Sequence, residues 1–482
     1  MPENNVHKPV HELDRLFYPK SIAVVGATPS EKQMGSGNMF VMGAFSQGFH
    51  GGIYPVHPKA DYILGLKAYP NVRAIPEEVD LVIFSIPQKA VISVMEDCAA
   101  RGVKFVHMFT AGFSETGVEE SAEVEQKILE IARKHGMRII GPNCMGIYCP
   151  EGGVAFQQNF PIQPGSVGII SQSGSLVNDF VRKGSHQGLK FSKVVSFGNA
   201  VDLQPYELLQ YLAQDEKTKS IGAYIEGLRE GRAFFEAARQ ITRKKPLVVL
   251  KGGQTEGGSR ATMSHTASMS GSARIWQALC KQAGIIPVDS PEEMMSTLSA
   301  LQKIPEPLGK NVAIFGEFGG GSVLMTDVAE KAGLKVPRLS EETIHRLEEF
   351  IPLEGHSVKN PLDAGMAIFN RKYFIKMLEV LREDPHIDAM IFIQQMGLGN
   401  GPMMGQNVHK HFFEVTLEAR KIFDKPILVV MNQDENPSTE FLRNELAMDY
   451  HHAGIANFSS FALAARVLSN LCDYREYLQR CP

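Results

Sequence analysis

Short runs of apolar, β-branched residues alternate along this chain with longer stretches whose apolar positions recur every three or four residues. That alternation predicts strands joined by helices, and hence parallel sheets with right-handed crossovers. A first group of strands opens with SIAVVGA (21–27) and continues through GGIYPV (51–56), DLVIFSI (80–86), VKFVHMF (103–109) and MRIIG (137–141). The stretch CPEGGVAFQQNFPIQPG (149–165) is rich in Gly, Pro and Gln, has weak periodicity, and reads as a domain linker. A second group has strands near 166–171, 191–196, 220–225 and 246–251. LQKIPEPLGKN (301–311) reads as a second linker, after which NVAIFGEFGGGS opens a third group with later strands near 387–393 and 426–431. The outline is three α/β domains, over 1–148, 149–305 and 306–482. The second and third groups open alike, with an apolar strand, a turn of small residues and a helix.

Composition narrows the function. A chain of 482 residues, 44% hydrophobic, is too long for one core. The net charge of −4 leaves no basic excess to neutralise a phosphate backbone, so no nucleic-acid partner is expected. The six cysteines (Cys98, Cys144, Cys149, Cys280, Cys472 and Cys481) form no C-x-x-C pair. That argues against a zinc site or a disulfide framework and fits a reducing cytoplasm. The polar N-terminus MPENNVHKPVHELDRLF lacks the apolar core of a signal peptide. No apolar run reaches the roughly 18 residues of a membrane span. G-x-S-x-G, H-E-x-x-H and G-x-x-x-x-G-K-[ST] are all missing, which disfavours a serine hydrolase, a zincin or a P-loop enzyme.

Five stretches carry chemistry. SIAVVGATPSEKQMGSGNMF (21–40) is a strand, a glycine turn at Gly26 and a helix, an opening whose backbone amides can approach phosphates. The other reading is a tight packing turn. The second strand ends in YPVHPK, with Lys59 where NAD proteins place an acid. A cation there suits an extra ribose phosphate, as in NADP or coenzyme A, or is simply a solvated lysine. VGIISQSGSLVNDF (167–180) sets Ser171, Ser173 and Gly174 at a helix start, which makes an anion site or an ordinary serine cap. AIFGEFGGGSVLMTD (313–327) repeats that design with Gly320, Gly321 and Ser322. Two such helix starts could face one anion. GAYIEGLREG ends a strand with Glu226, at the sheet edge where parallel sheets bind ligands, or as a surface glutamate over the next turn.

The fifth stretch, SHTASMSG (264–271), presents His265 on a bare run of small residues between a strand and a helix. One reading is an exposed loop histidine. The other is a nucleophile, because an imidazole with an ordinary pKa of about 6.5 offers a free nitrogen at neutral pH. Glu226 is then the candidate to fix its tautomer. His451 and His452, in DYHHAG, read as surface-loop residues.

Taken together these residues resemble the α subunit of the ADP-forming acetyl-CoA synthetases, the nucleoside-diphosphate-forming acyl-CoA ligases related to succinyl-CoA synthetase. VVGAT, HPKADYILGLKAYPNV, AGFSETG, IIGPNCMGI, GIISQSGSL, YIEGLREGR, KGGQTEGGSRATMSHTASMSG and KNPLD occur in the family's order, from about residue 12 to 475. The resemblance implies an α/β fold with a Rossmann-like CoA-binding domain followed by two flavodoxin-like domains. It makes His265 the residue phosphorylated in turnover and Glu226 its stabilising carboxylate. It places Gly26, Thr28, Lys59, Thr110 and Ala111 at coenzyme A. It gives phosphate or acyl contacts to Asn143, Ser171, Ser173, Gly174, Gly320, Gly321, Ser322 and Asn360, and to Gly397 and Gly399 on a further loop.

The implied reaction interconverts acyl-CoA, ADP and phosphate with a carboxylic acid, CoA and ATP, through acyl phosphate and phosphohistidine. The chain carries no ATP-grasp pattern, so the resemblance implies that ADP or ATP with Mg²⁺ is bound mainly by a separate ATP-grasp β subunit, in a hetero- or homo-oligomer. No metal ligand set is expected in this chain. Ala267 stands where the family usually has Gly after SHT, which implies a narrower swing of the histidine segment. Two other readings stay open on the sequence. One is an acyl-CoA:carboxylate CoA-transferase without nucleotide use, the other a non-catalytic CoA-binding regulatory subunit.

Overall fold

The computed structural model describes residues 11–29, 35–266, 272–305, 309–317, 319–397, 408–433 and 435–480, without the side chains of 263–266 and 422. The expected apolar runs become strands. The first sheet holds β1 (Ser21–Val25) and β2 (Gly52–Val56). A small hairpin of β3 (Tyr62–Ile63) and β4 (Leu66–Lys67) follows β2. The first sheet is completed by β5 (Leu81–Phe84), β6 (Phe105–Met108) and β7 (Arg138–Ile140). Its order is β2-β1-β5-β6-β7, all parallel. β1, β5 and β6 are buried at every position. Continuous apolar runs are what a parallel sheet covered on both faces requires.

The second sheet holds β8 (Gly146–Tyr148), β9 (Val167–Ser171), β10 (Phe191–Ser196), β11 (Ser220–Ile225), β12 (Leu247–Lys251) and β13 (Ile286–Val288), in the order β13-β12-β11-β9-β10-β8. Only β8 is antiparallel, lying along β10. It passes directly from the first sheet's last strand to the edge of the second, so β10 has no open edge there. The Gly- and Pro-rich stretch read as a linker is instead a packed strap. Val154, Ala155, Phe156 and Phe160 are buried in it. Gln47 Nε2 donates to the Phe160 carbonyl at 2.9 Å and the Tyr148 hydroxyl to the Pro161 carbonyl at 2.6 Å.

A buried cation ties the chain's start to the second sheet. Lys193 on β10 is 1% exposed, with Nζ 2.9 Å from the Asp215 carboxylate. The ammonium also lies over the rings of Phe17, Tyr18 and Tyr211, 5.2–5.9 Å from their centroids. Tyr211 stacks on Phe17 at 4.9 Å and donates its hydroxyl to Asp14 at 2.8 Å. Burial works against the Asp215 charge, yet the Thr218 hydroxyl and Lys193 hold its carboxyl below the usual carboxylate range. Removing one partner of such a pair strands a buried charge, so Lys193→Ala should cost about 3–5 kcal/mol, read from the urea midpoint. Because the folded Asp215 pKa is depressed, its contribution is present above the unfolded value of about 3.9 and is lost as pH falls through the folded one. Wild-type stability should therefore drop in acid below about pH 4, and the variant should lose that part of the acid dependence.

The third sheet holds β14 (Val312–Phe315), β15 (Ala389–Ile393), β16 (Ile427–Val430) and β17 (Asn457–Phe458), parallel and in that order. The chain divides into two compact units, Met1–Ser185 with Leu189–Pro291, and His186–Gly188 with Glu292–Pro482. The first unit carries both of the first two sheets. The helix Pro291–Lys303 runs into the stretch read as the second linker and packs in the third sheet's core: Ala300 and Ile304 are buried with Val312, Ile314 and Leu468. Glu293 on that helix pairs with Arg466 at 3.1 Å. His451 and His452, read as surface-loop residues, instead close the helix Pro437–His452, where burial and the neighbouring Lys303 push the His451 imidazole down to about 3. Among the described residues no helix is long and apolar enough to cross a membrane.

Candidate active site

In the first unit a cavity of about 610 Å³ opens beyond the C-terminal ends of β5, β6, β7 and β9. Ligands of parallel sheets bind at that edge. Its polar wall includes Ser36, Ser85, Thr110, Asn143, Ser173 and Gly174, and its apolar wall includes Ile86, Pro87, Phe109 and Met145. Thr110, Ala111, Asn143, Ser173 and Gly174, all expected from sequence, are thus brought to one cavity. Gly26 and Thr28 are not on its wall; they build the turn beside it. Gly26 has φ +100°, and an added Cβ would fall 2.1 Å from the Ser85 carbonyl oxygen, so the turn requires glycine. Thr28 N–H donates to Asn38 Oδ1 at 2.7 Å, Asn38 Nδ2 donates to the Thr28 carbonyl at 3.0 Å, and Thr28 Oγ1 accepts from Gly35 N–H at 3.1 Å. Asn38 is buried and went unnoticed in the sequence. Lys59 is exposed just past β2 and does not line the cavity. The Thr110 hydroxyl is committed to the Ile86 carbonyl at 2.8 Å, while Ala111 is exposed on the rim.

The cap reading of the serine-rich helix start holds. Ser173 Oγ caps the helix Gly174–His186 by accepting from Leu176 N–H at 3.3 Å, and the same residue faces the cavity. Ser171 is fully buried, with Oγ donating to the Ser173 carbonyl at 2.7 Å, so it shapes the turn. Between them Gln172, unremarked in the sequence, accepts with Oε1 from the backbone N–H of Glu226 at 2.9 Å and of Gly227 at 3.2 Å. That links the serine turn to the end of β11.

Glu226 is 6% exposed and accepts with Oε1 from the Tyr224 hydroxyl at 3.0 Å. Burial, and then the Glu226 charge, push the Tyr224 phenol well above its ordinary range, so it remains a donor. The Glu226 carbonyl accepts from Lys251 Nζ at 2.6 Å, and burial pulls that ammonium's pKa down against the Glu226 charge.

The His265 segment differs from its reading as a bare loop. Glu256–Thr266 is a helix, and His265 falls in its last turn. Thr255 Oγ1 accepts from Gly258 N–H at 3.0 Å as its cap, and Glu256 sits in the first turn, where an acid complements the helix dipole. The His265 side chain lies outside the described residues, as does Ala267 entirely. This helix rests against the turn Ser114–Thr116, which follows Ala111 on the cavity rim.

The second unit holds the other glycine-rich start. Gly319, with φ +52°, precedes the helix Gly320–Lys331. A cavity of about 440 Å³ is lined by Gly319, Ser322, His356, Lys359, Asn360 and Asp363, among others. Gly320 and Gly321 form the first turn of that helix and are not on the cavity wall. Asn360 spends its side chain on structure: Oδ1 accepts from Ile314 N–H at 3.1 Å, and Nδ2 donates to the carbonyls of Val312 at 2.8 Å and Pro337 at 2.9 Å. Gly397 is exposed, and Gly399 lies outside the described residues.

Residues 164–301 match the succinyl-CoA ligase like flavodoxin domain, and residues 20–150 match a CoA binding domain. The chain is 42% identical over 392 residues to acetate–CoA ligase [ADP-forming] II of Archaeoglobus fulgidus, covering 79% of this chain and 57% of that protein, so it spans little more than half of that relative's length. It is 41% identical over 381 residues to the α subunit of acetate–CoA ligase [ADP-forming] II of Pyrococcus furiosus, covering 79% of this chain and 82% of that one. Its fold superposes with a TM-score of 0.82, at 30% identity and over 97% of each chain, on dinucleotide forming acetyl-coenzyme A synthetase 1 of Ca. Korarchaeum cryptofilum, solved in complex with phosphate and ADP. By these likenesses, and by the order of its domains, the chain belongs to the ADP-forming acetate–CoA ligase family of acid–thiol ligases, on the side of its α subunits.

Proposed function

We propose that this chain is the acyl-handling subunit of a cytoplasmic ADP-forming acyl-CoA ligase, working through an acyl phosphate and a phosphohistidine at His265. The observation that carries the reading is the cavity of the first unit. A CoA-type sheet edge, a capped helix start at Ser173 and Gly174, and the Gln172 link to buried Glu226 meet there.

In the first step a phosphate oxygen attacks the thioester carbonyl; the C–S bond breaks and CoA leaves as a thiolate that takes up a proton. The N-terminal amides and dipole of helix Gly174–His186 favour the negative charge of phosphate and of the developing oxyanion. In the second step an imidazole nitrogen of His265 attacks phosphorus, and the carboxylate leaves with the electrons of the P–O bond. Glu226 holds the tautomer and offsets the positive charge of the phosphorylated ring. In the third step a terminal oxygen of ADP takes the phosphoryl group and the imidazole is restored. Nucleotide and Mg²⁺ are held mainly by an ATP-grasp partner subunit.

Coenzyme A fits the residues present. The cavity offers both hydroxyls and apolar side chains, which suits a pantetheine arm, and Lys59 is exposed past β2, free to pair with a ribose phosphate. The chain, given acetyl-CoA and inorganic phosphate without nucleotide, should release free thiol well above the rate of spontaneous hydrolysis. If it binds CoA yet releases no thiol, the acyl-transfer reading is wrong.

A further inference from the structure

One side chain joins the ends of β11 and β12. Lys251 closes β12, is 9% exposed and stands opposite Ile225 in the sheet. Its Nζ donates to the Glu226 carbonyl at 2.6 Å and to the Gly252 carbonyl at 2.5 Å. It makes no ion pair among the described residues. Glu226 is thus held on both sides of its own backbone. Gln172 Oε1 accepts from its N–H at 2.9 Å, and Lys251 donates to its carbonyl.

The same lysine holds the root of the segment that leads to His265. Gly252 N–H donates to the Ile225 carbonyl at 2.9 Å, and the Lys251 carbonyl accepts from Gln254 Nε2 at 3.1 Å. Gly253, at φ +74°, turns the chain toward Thr255, the cap of helix Glu256–Thr266. This root lies directly against the carboxylate's support. A Cβ on Gly252 would fall 2.9 Å from the Tyr224 hydroxyl and 3.3 Å from Glu226 Cγ.

Packing alone does not account for a lysine here. Burying an ammonium is costly, and water or a backbone N–H would satisfy strand-end carbonyls without a charge. Burial indeed pulls this ammonium's pKa down, against the Glu226 charge. What the ammonium secures is geometry, and a misplacement of about 1 Å can slow a reaction by 10²-fold. We propose that Lys251 is a positioning residue for phosphoryl transfer, fixing the backbone that carries Glu226 against the backbone that leads to His265. This assignment rests on the phosphohistidine reading.

The test uses the full chain alone, with acetyl phosphate as the donor. The His265 imidazole nitrogen attacks phosphorus, acetate leaves with the electrons of the P–O bond, and phosphoenzyme is measured by rapid quench in base. Lys251→Met keeps the length of the side chain and removes its N–H groups. It should lower the maximal rate about tenfold, leave the half-saturating acetyl phosphate concentration unchanged, and retain thiol release from acetyl-CoA and phosphate. An unchanged maximal rate overturns the proposal. So does a loss of thiol release in step with phosphoryl transfer, which marks a purely structural lysine. A second measurement asks whether Lys251 acts through Glu226. In the Glu226→Gln background, Lys251→Met should slow transfer by no more than about twofold further, because the charge it positions is already gone. A further loss of about tenfold there contradicts the proposal. Where Lys251→Met does not fold, Lys251→Gln, which keeps an N–H for one carbonyl, is held to the same outcomes. Wild-type protein that takes no phosphoryl group from acetyl phosphate fails the phosphohistidine reading itself, and that result tells the two failures apart.

Discussion

His265→Asn should abolish ATP formation from acetyl-CoA, phosphate and ADP, with a loss on the order of 10³-fold or more, while thiol release from acetyl-CoA and phosphate survives. On the proposed mechanism the two half-reactions separate because they use different parts of the chain. Attack of phosphate on the thioester needs the cavity, the helix start at Gly174 and a correctly placed CoA, none of which the substitution touches. Transfer to nucleotide needs a nucleophile that accepts the phosphoryl group and gives it up again, and an asparagine amide cannot do that. Acyl phosphate should therefore accumulate and be trapped by hydroxylamine as the hydroxamate. A variant that makes ATP at the wild-type rate would remove His265 from the pathway. One that loses both half-reactions together would mean that the histidine helix also holds the CoA domain in place.

Glu226→Gln carries the second-largest expected effect. The glutamate ends β11 at 6% exposure, its N–H is held by Gln172, and its Oε1 is held by the Tyr224 hydroxyl. Glutamine keeps the size and can still accept from Tyr224, so the fold should persist. What it loses is the charge that, on the proposed mechanism, offsets a phosphorylated imidazole. Rapid-quench measurement should show phosphoenzyme formation slowed by about 10²-fold, with CoA affinity unchanged. The conservative Glu226→Asp should recover part of that rate, because the charge returns at a shorter reach. If phosphoenzyme forms equally fast in Glu226→Gln, the carboxylate has another role, such as holding Lys251 beside its own carbonyl.

Long apolar runs made the three central sheets readable. β1, β5, β9, β11 and β15 are buried at nearly every position, so each announces itself without reference to the rest of the chain. The unread strands are short and owe their form to neighbours. β8 has three residues and exists because β10 offers an edge; β17 has two. β13 contains Pro287, which discourages a strand assignment but is tolerated at a sheet edge. The strap at 149–165 shows the converse. Phe156 and Phe160 were visible, but no period marked them as core.

At the candidate site, residues with distinctive chemistry could be named from the sequence, whereas their supports could not. Asn38 and Gln172 are common polar residues whose work is defined only by what lies across a turn. Asn360 was expected in a ligand pocket; it lines a cavity, yet its side-chain bonds to Val312, Ile314 and Pro337 all run to the backbone, which no spacing rule would reveal. The segment around His265 misled in another way. Its glycines and serines suggested a loop, but Thr255 and Glu256 already supplied a helix start.

The central claim is that this chain carries a phosphoryl group on His265. The direct measurement is to mix the full chain with the proposed ATP-grasp subunit, Mg²⁺ and γ-labelled ATP, quench in base, and map the label by peptide mass spectrometry. The expected result is base-stable, acid-labile phosphate on this chain at His265, discharged on adding ADP or on adding acetate with CoA. Label that never appears on this chain, or that resides on another residue of it, would contradict the claim.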